Sequence, residues 1–220
     1  MPGGGAHPGA GIVVDRRGQV FFIDTPDLKL NKAGLIVRAR RFRAGKGATV
    51  VKLRPVDPAT VAAELRRDMA FKIEVDAMPG GYVCSASAKG RAPSQDVLEV
   101  SDGNVPLASL FNQRQREFYE ANAPAGLAMS ELVPLGPTFL LRLKQQPKGF
   151  DRPINIELWL YPDGSRILEL STKGETNEAF QLAAEFRAFV TSRGIAPEAG
   201  AATKTGSALA YFSKHRKPAR

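Results

Sequence analysis

Arg38 and Arg40 stand two residues apart, as do Lys52 and Arg54, and Arg142 and Lys144. Glu74 and Asp76 share that spacing, with Lys72 two positions before them. Side chains two apart on a β-strand project from one face, so each set acts together if its segment is a strand. Ser85, Ser87 and Lys89 form another such set, as do Asn155, Glu157 and Trp159, then Glu169, Ser171 and Lys173. Arg grips phosphate bidentately and Lys adds compact positive charge. Carboxylates suit hard divalent cations such as Mg²⁺, which bridge them to phosphates. Any one of these strands could be the solvated face of a one-sided sheet. The recurrence argues otherwise: three strands present basic pairs, and others carry the carboxylates, Glu74 with Asp76, then Glu157 and Glu169. A closed or cupped sheet with its charges inside uses both, the bases for phosphate oxygens and the acids for a cation. About eight strands enclose space for one small ligand, and inward charges then require water, anion or metal beside them.

The elements that must hold these residues are readable from turn and cap signals. Residues 11–24 read as a hairpin turning at Asp15-Arg16-Arg17-Gly18. Asp24-Thr25-Pro26 opens a short helix that Gly34 ends. Strands follow at 35–42 and 49–54, with a turn at 44–47 between them, and a helix at 57–67. Strands at 70–78 and 82–90 turn at Pro79-Gly80-Gly81, and 105–123 reads as one helix. Strands at 138–145 and 154–161 precede an Asp163-Gly164 turn into a strand at 166–171. The apolar stripe Ala179, Leu182, Ala183, Phe186 and Val190 predicts a helix over 176–193, and a last helix is expected over 205–212. The fold class is therefore α+β: an antiparallel barrel with helices packed outside, over residues 12–213. A disordered segment at 1–11 precedes it and a basic tail at 214–220 follows.

Net charge is +9, and the tail holds Lys214, Arg216, Lys217 and Arg220. The balance favours anionic partners. Nucleic acid ranks last among them, because no aromatic-rich basic surface accompanies the charge. Cys84 is the only cysteine and the histidines are His7 and His215, so neither an intrachain disulfide nor a Cys/His zinc site is expected. No apolar run is long enough to span a bilayer, and a cytoplasmic location fits the cysteine usage. Ser85 and Ser87 have no histidine to act as base; they read as hydrogen-bonding lining.

Phe21-Phe22-Ile23-Asp24-Thr25-Pro26-Asp27-Leu28, Gly34, Arg38-Ala39-Arg40 and Lys52-Leu53-Arg54 resemble the early strands of the CYTH (triphosphate tunnel metalloenzyme) superfamily. Glu74-Val75-Asp76 is similar to its mid-chain acidic strand. Glu157-Leu158-Trp159 and Asp163-Gly164-Ser165-Arg166-Ile167-Leu168-Glu169-Leu170 are similar to its later ones. The resemblance covers residues 21–209. It implies an eight-stranded antiparallel tunnel that binds a triphosphate-containing small molecule with Mg²⁺ or Mn²⁺. It implies phosphate contacts from Arg38, Arg40, Lys52, Arg54, Lys89, Arg142 and Lys144, with Lys173 on a same-face set and Lys204 as a late basic residue. Glu74, Asp76, Glu157 and Glu169 would hold metal or orient water, the three glutamates being the catalytic candidates. The expected activity is hydrolysis of tripolyphosphate or a nucleoside triphosphate. Adenylyl cyclisation and non-catalytic polyphosphate or nucleotide binding are the alternatives. The family's opening Glu-x-Glu-x-Lys strand has no counterpart, Asp15 being the first acidic residue. The expectation is thus either a barrel missing a stave, with an exposed edge that could pair with a second copy as a homodimer, or a divergent member whose metal binding rests on the remaining carboxylates and is weak.

Overall fold

The computed structural model describes residues 14–42, 45–61, 71–196 and 203–215, with side chains from Arg17 onward. Eight strands run in chain order: β1 (Val14–Asp24), β2 (Leu35–Phe42), β3 (Lys46–Leu53), β4 (Phe71–Met78), β5 (Gly81–Pro93), β6 (Val133–Gln145), β7 (Ile154–Leu160) and β8 (Arg166–Gly174). They close a barrel in the order β1-β2-β3-β5-β4-β8-β7-β6, each neighbour pair antiparallel. The eight-stranded tunnel is as expected, but the missing stave is not. β1 pairs with β2 on one side and β6 on the other. No described strand has an open edge of the kind a missing stave would leave.

The hairpin expected over 11–24 is also corrected, with residues 11–13 outside the described set. β1 runs unbroken through Asp15-Arg16-Arg17-Gly18. Gly18 serves close approach rather than a turn: a Cβ there would lie 2.5 Å from the Arg41 carbonyl oxygen and 2.8 Å from the Phe42 ring. The glycine signal was real, but its cause was a neighbouring strand.

Asp24 ends β1 and organises the connection to β2. Its buried carboxylate accepts from the backbone N–H of Thr25 (2.7 Å), Leu30 (2.9 Å) and Asn31 (2.9 Å). These bonds fix a single-turn helix, α1 (Lys29–Lys32). Gly34 then turns the chain at φ 74°, against the Arg54 carbonyl. The expected helix at 57–67 is a 3₁₀ turn at Pro58–Thr60, capped by Asp57 through the Ala59 N–H; 62–70 lie outside the described residues. The expected single helix over 105–123 is two pieces. A 3₁₀ turn (Leu107–Leu110) precedes α3 (Gln113–Asn122), because Asn112 caps α3 by accepting from the Gln115 N–H. An unanticipated helix, α2 (Ser94–Ser101), starts where Ser94 ties β5 to the Phe42 carbonyl.

The outward faces of the strands bury against helices. Phe21, Leu35, Val37 and Phe71 meet Val97, Val100, Phe118 and Tyr119 from α2 and α3. Helix α4 (Ala179–Ser192) lays Leu182, Phe186 and Val190 on Ala77, Phe150 and Ile154, the stripe its sequence predicts. The last helix, α5 (Lys204–Lys214), departs from the expectation of helices outside. Its Ala208, Leu209 and Phe212 pack on Val20, Phe22, Leu140 and Trp159. Val20 and Phe22 lie opposite Arg40 and Arg38 in the sheet, so α5 covers the inward face and fills that part of the tunnel. It runs to Lys214, one residue into the expected tail; residues 1–13 and 216–220 lie outside the described set. No helix among the described residues is long and apolar enough to cross a membrane.

Candidate functional site

Strand register puts the sequence-predicted residues on one surface. Directly opposed residues share a face. Arg38 lies opposite Val50, and Val50 opposite Lys89. Lys52 lies opposite Ser87, Glu74 opposite Ser85, and Asp76 opposite Lys173. Glu157 is flanked by Arg142 and Glu169, and Lys144 faces Asn155. Arg54 falls just past β3, its guanidinium 4.0 Å from the Met78 sulfur. Arg91, opposite Ala48, joins this face unanticipated. The period of two carried on from Lys89 would have found it.

Within the tunnel the carboxylates separate into two pairs. In the first, Lys173 Nζ lies 2.9 Å from Glu74 Oε2 and 2.8 Å from Asp76 Oδ1. Lys52 Nζ is 2.8 Å from Asp76 Oδ2, and Lys89 Nζ is 3.1 Å from Glu74 Oε2. Lys173 and Lys89 keep 44% and 45% of their side chains exposed, whereas Lys52 keeps 11%. In the second pair, Lys204 donates to both Glu157 Oε2 and Glu169 Oε1. The Trp159 Nε1–H donates to the same Glu157 oxygen at 3.2 Å. Arg40 and Lys204 both lie over the Trp159 ring, 5.7 and 5.2 Å from its centroid. Trp159 is therefore fully buried lining rather than a rim residue. Ser85 and Ser87 are buried and reach the backbone carbonyls of Glu74 and Lys72 at 3.4 and 3.5 Å.

Arg38 and Arg40 are different. Their Nε atoms are buried and have no acceptor among the described residues. Burial pulls the Arg40 guanidinium down to about 9, with Arg38 beside it adding repulsion and Glu157 opposing both. It also lowers Arg38, against the pull of Glu157 and Asp76. Two half-buried guanidiniums with buried, unpartnered Nε atoms therefore converge, which is costly in an apolar setting. Burial likewise lowers Lys52, to about 8, although Asp76 opposes it. At the acids the balance reverses. Burial disfavours the Glu157 carboxylate, but Lys204 and Arg40 outweigh it and hold the group near 2. Lys52 and Lys173 likewise outweigh burial at Asp76 and keep it well below the usual carboxylate range.

These depressed acids set an acid limit on stability. Their contribution is complete above the unfolded carboxyl range and is lost as pH falls through the folded values. For Glu157 the span from about 4.5 to about 2 corresponds to about 3 kcal/mol. Urea midpoints are therefore expected to hold steady between pH 7 and 5 and to drop between pH 4.5 and 2. A midpoint unchanged over that lower window would contradict the ion-pair assignment.

A resident divalent cation does not fit the donor set in this arrangement. No three His, Cys, Asp or Glu side chains come together to hold a metal among the described residues. Both Asp76 oxygens already accept from lysines, and a lysine spans each pair.

The site is thus a closed tunnel with clustered cations and two buried guanidinium Nε atoms that lack an acceptor among the described residues. No family model and no curated protein matches the sequence. Solved structures do. A candidate adenylyl cyclase from Hippeastrum, described as having a dominant triphosphatase activity, superposes with a TM-score of 0.62 at 17% identity, over 92% of this chain and 83% of that one. A candidate adenylate cyclase from Bacillus halodurans gives 0.57 at 14% identity, over 86% and 80%. The chain thus has the eight-stranded antiparallel tunnel fold that the resemblance to the CYTH superfamily implies.

Proposed function

We propose that the tunnel binds the triphosphate group of a small molecule, inorganic tripolyphosphate or a nucleoside triphosphate, and hydrolyses it. The observation that carries this reading is the pair of buried Nε atoms on Arg38 and Arg40 with no acceptor among the described residues. Buried polar groups are almost always satisfied, and a phosphate oxygen is the acceptor such a guanidinium best fits. Lys52 and Lys204 extend the positive surface on either side, each beside a carboxylate. That surface would stabilise the charge that develops on the transferred phosphoryl group and on its leaving diphosphate. The fold shared with a protein described as a triphosphatase supports the reading.

The test is phosphate release from tripolyphosphate and from ATP, with Mg²⁺, with Mn²⁺ and with EDTA, read beside calorimetric binding. Orthophosphate release by the wild type, lost in an Arg38→Met/Arg40→Met variant, is the expected result. Cyclic AMP as the product from ATP would replace hydrolysis by cyclisation. Binding with no turnover would reduce the proposal to a binding module, and no binding would remove it.

A further inference from the structure

We infer that the tunnel takes its triphosphate ligand without a resident divalent cation. Its four carboxylates act as internal anchors that hold lysines in position for phosphate oxygens. The inference rests on the triphosphate reading above and concerns how that site is built.

Each carboxylate pair already has a cation between its members. Lys173 Nζ sits between Glu74 and Asp76 within 2.9 Å of an oxygen of each. Lys204 Nζ bonds to Glu157 and Glu169 together. An ammonium bonded to two carboxylate oxygens occupies the position a bridging metal needs. A Mg²⁺ ion held by one or two carboxylates and by phosphate oxygens would have to displace the lysine from the facing oxygens of a pair. Both Asp76 oxygens accept from a lysine, Oδ1 from Lys173 and Oδ2 from Lys52. Glu157 Oε2 receives the Trp159 indole as well as Lys204.

Lys204 holds this position through the fold. It begins α5, whose Leu209 and Phe212 are buried against the tunnel lining. The Tyr161 hydroxyl donates to its carbonyl at 2.9 Å. Lys89 and Lys173, by contrast, are nearly half-exposed and can turn from carboxylate to phosphate with little rearrangement. Fixed cations at one side and movable ones at the other make a preorganised polyanion receptor. The carboxylates keep these ammoniums from repelling one another while the tunnel is empty.

This assignment reverses the sign expected for acid-to-amide substitutions. If the carboxylates are metal ligands, Glu74→Gln and Glu169→Gln weaken binding. If they are anchors, each substitution removes a negative charge near the phosphates and frees a donor. Binding then tightens by about 3- to 10-fold. Both substitutions leave the central lysine one carboxylate, Asp76 for Lys173 and Glu157 for Lys204, so folding is preserved and urea midpoints check it. The measurement is tripolyphosphate titration by calorimetry, and by fluorescence of Trp159, the one tryptophan in the chain, in EDTA and in Mg²⁺ or Mn²⁺. Binding in EDTA at least as tight as with metal, and tighter in both variants, is the expected result. Binding that requires metal, with both variants weakened 10-fold or more, overturns the inference and leaves the triphosphate site standing. No binding under any condition overturns the triphosphate reading and the inference with it.

Discussion

Replacing Arg38 and Arg40 together by methionine will weaken tripolyphosphate binding by about 100- to 10,000-fold and change the stability of the barrel far less. The two effects have one cause. The Nε atoms of both are buried and lack acceptors among the described residues, and Arg38 lowers the tendency of Arg40 to stay charged. Removing two cations whose buried Nε atoms lack acceptors relieves a desolvation cost, which offsets the attraction to the tunnel carboxylates lost with them. The methionines would extend the apolar lining formed by Val20 and Phe22, which stand opposite in β1. The contact of Arg40 with Trp159 is lost, about 0.5–1 kcal/mol for a cation–π pair, and Glu157 loses part of the attraction that keeps it ionised, with Lys204 remaining. Charge-assisted hydrogen bonds to phosphate contribute about 1.5–3 kcal/mol each, and two arginines losing them together gives the stated range. Urea unfolding and calorimetry on the same preparations decide it. Arginines that served only to hold the barrel together would give the reverse: a clear loss of stability with binding intact. A loss of binding far larger than any loss of stability is the signature of residues kept for function.

The strands that position these arginines were legible because a period of two with β-branched and apolar alternates is a strong local signal. Leu35–Phe42 is matched residue for residue, and the inward set of Arg38, Lys52, Glu74, Asp76, Glu157 and Glu169 follows from it. Gly18 was misread because a glycine required by the neighbouring strand and a glycine required by a turn look alike in sequence. Helix α5 was expected near its true place, but its stripe of Ala208, Leu209 and Phe212 cannot say which surface it covers. Only the closed barrel shows that this surface is the tunnel lining. The least legible feature is the most consequential. Glu74 and Asp76 are brought to Lys173 by the pairing of β4 with β8, some hundred positions apart in the chain. Glu157 and Glu169 are brought to Lys204 by the docking of a helix. Alternation within a strand gives the face of a residue, not its partner on another element. The sequence therefore presents four carboxylates that resemble a metal site, and the fold gives each pair a lysine.

Because Lys204 joins the helix to the carboxylates, Lys204→Met is expected to be the most destabilising single change in the tunnel, by about 3–5 kcal/mol at pH 7. Glu157 and Glu169 are directly opposed in the sheet, and like charges in that relation repel. Glu157 is only 8% exposed at its side chain, and Lys204, at 15%, bonds to both acids. Without the ammonium, one proton would be taken up by the pair at a pH above the ordinary carboxyl range. The sign of the acid dependence then inverts. A raised folded value means that the penalty is full at neutral pH and shrinks as pH falls through that value toward the unfolded one. Wild type should lose stability between pH 4.5 and 2, whereas the variant should recover part of its deficit between pH 7 and 5. Adding Glu169→Gln removes the repulsion without acid and should restore most of the loss at pH 7, a coupling that a double-mutant cycle reads directly. Trp159, stacked near Lys204 and bonded to Glu157, reports the same event as a fluorescence change when α5 loosens. A Lys204→Met variant within 1 kcal/mol of wild type at pH 7, with no recovery on acidification, would show that α5 is held by Leu209 and Phe212 alone and that the lysine is incidental to the carboxylates.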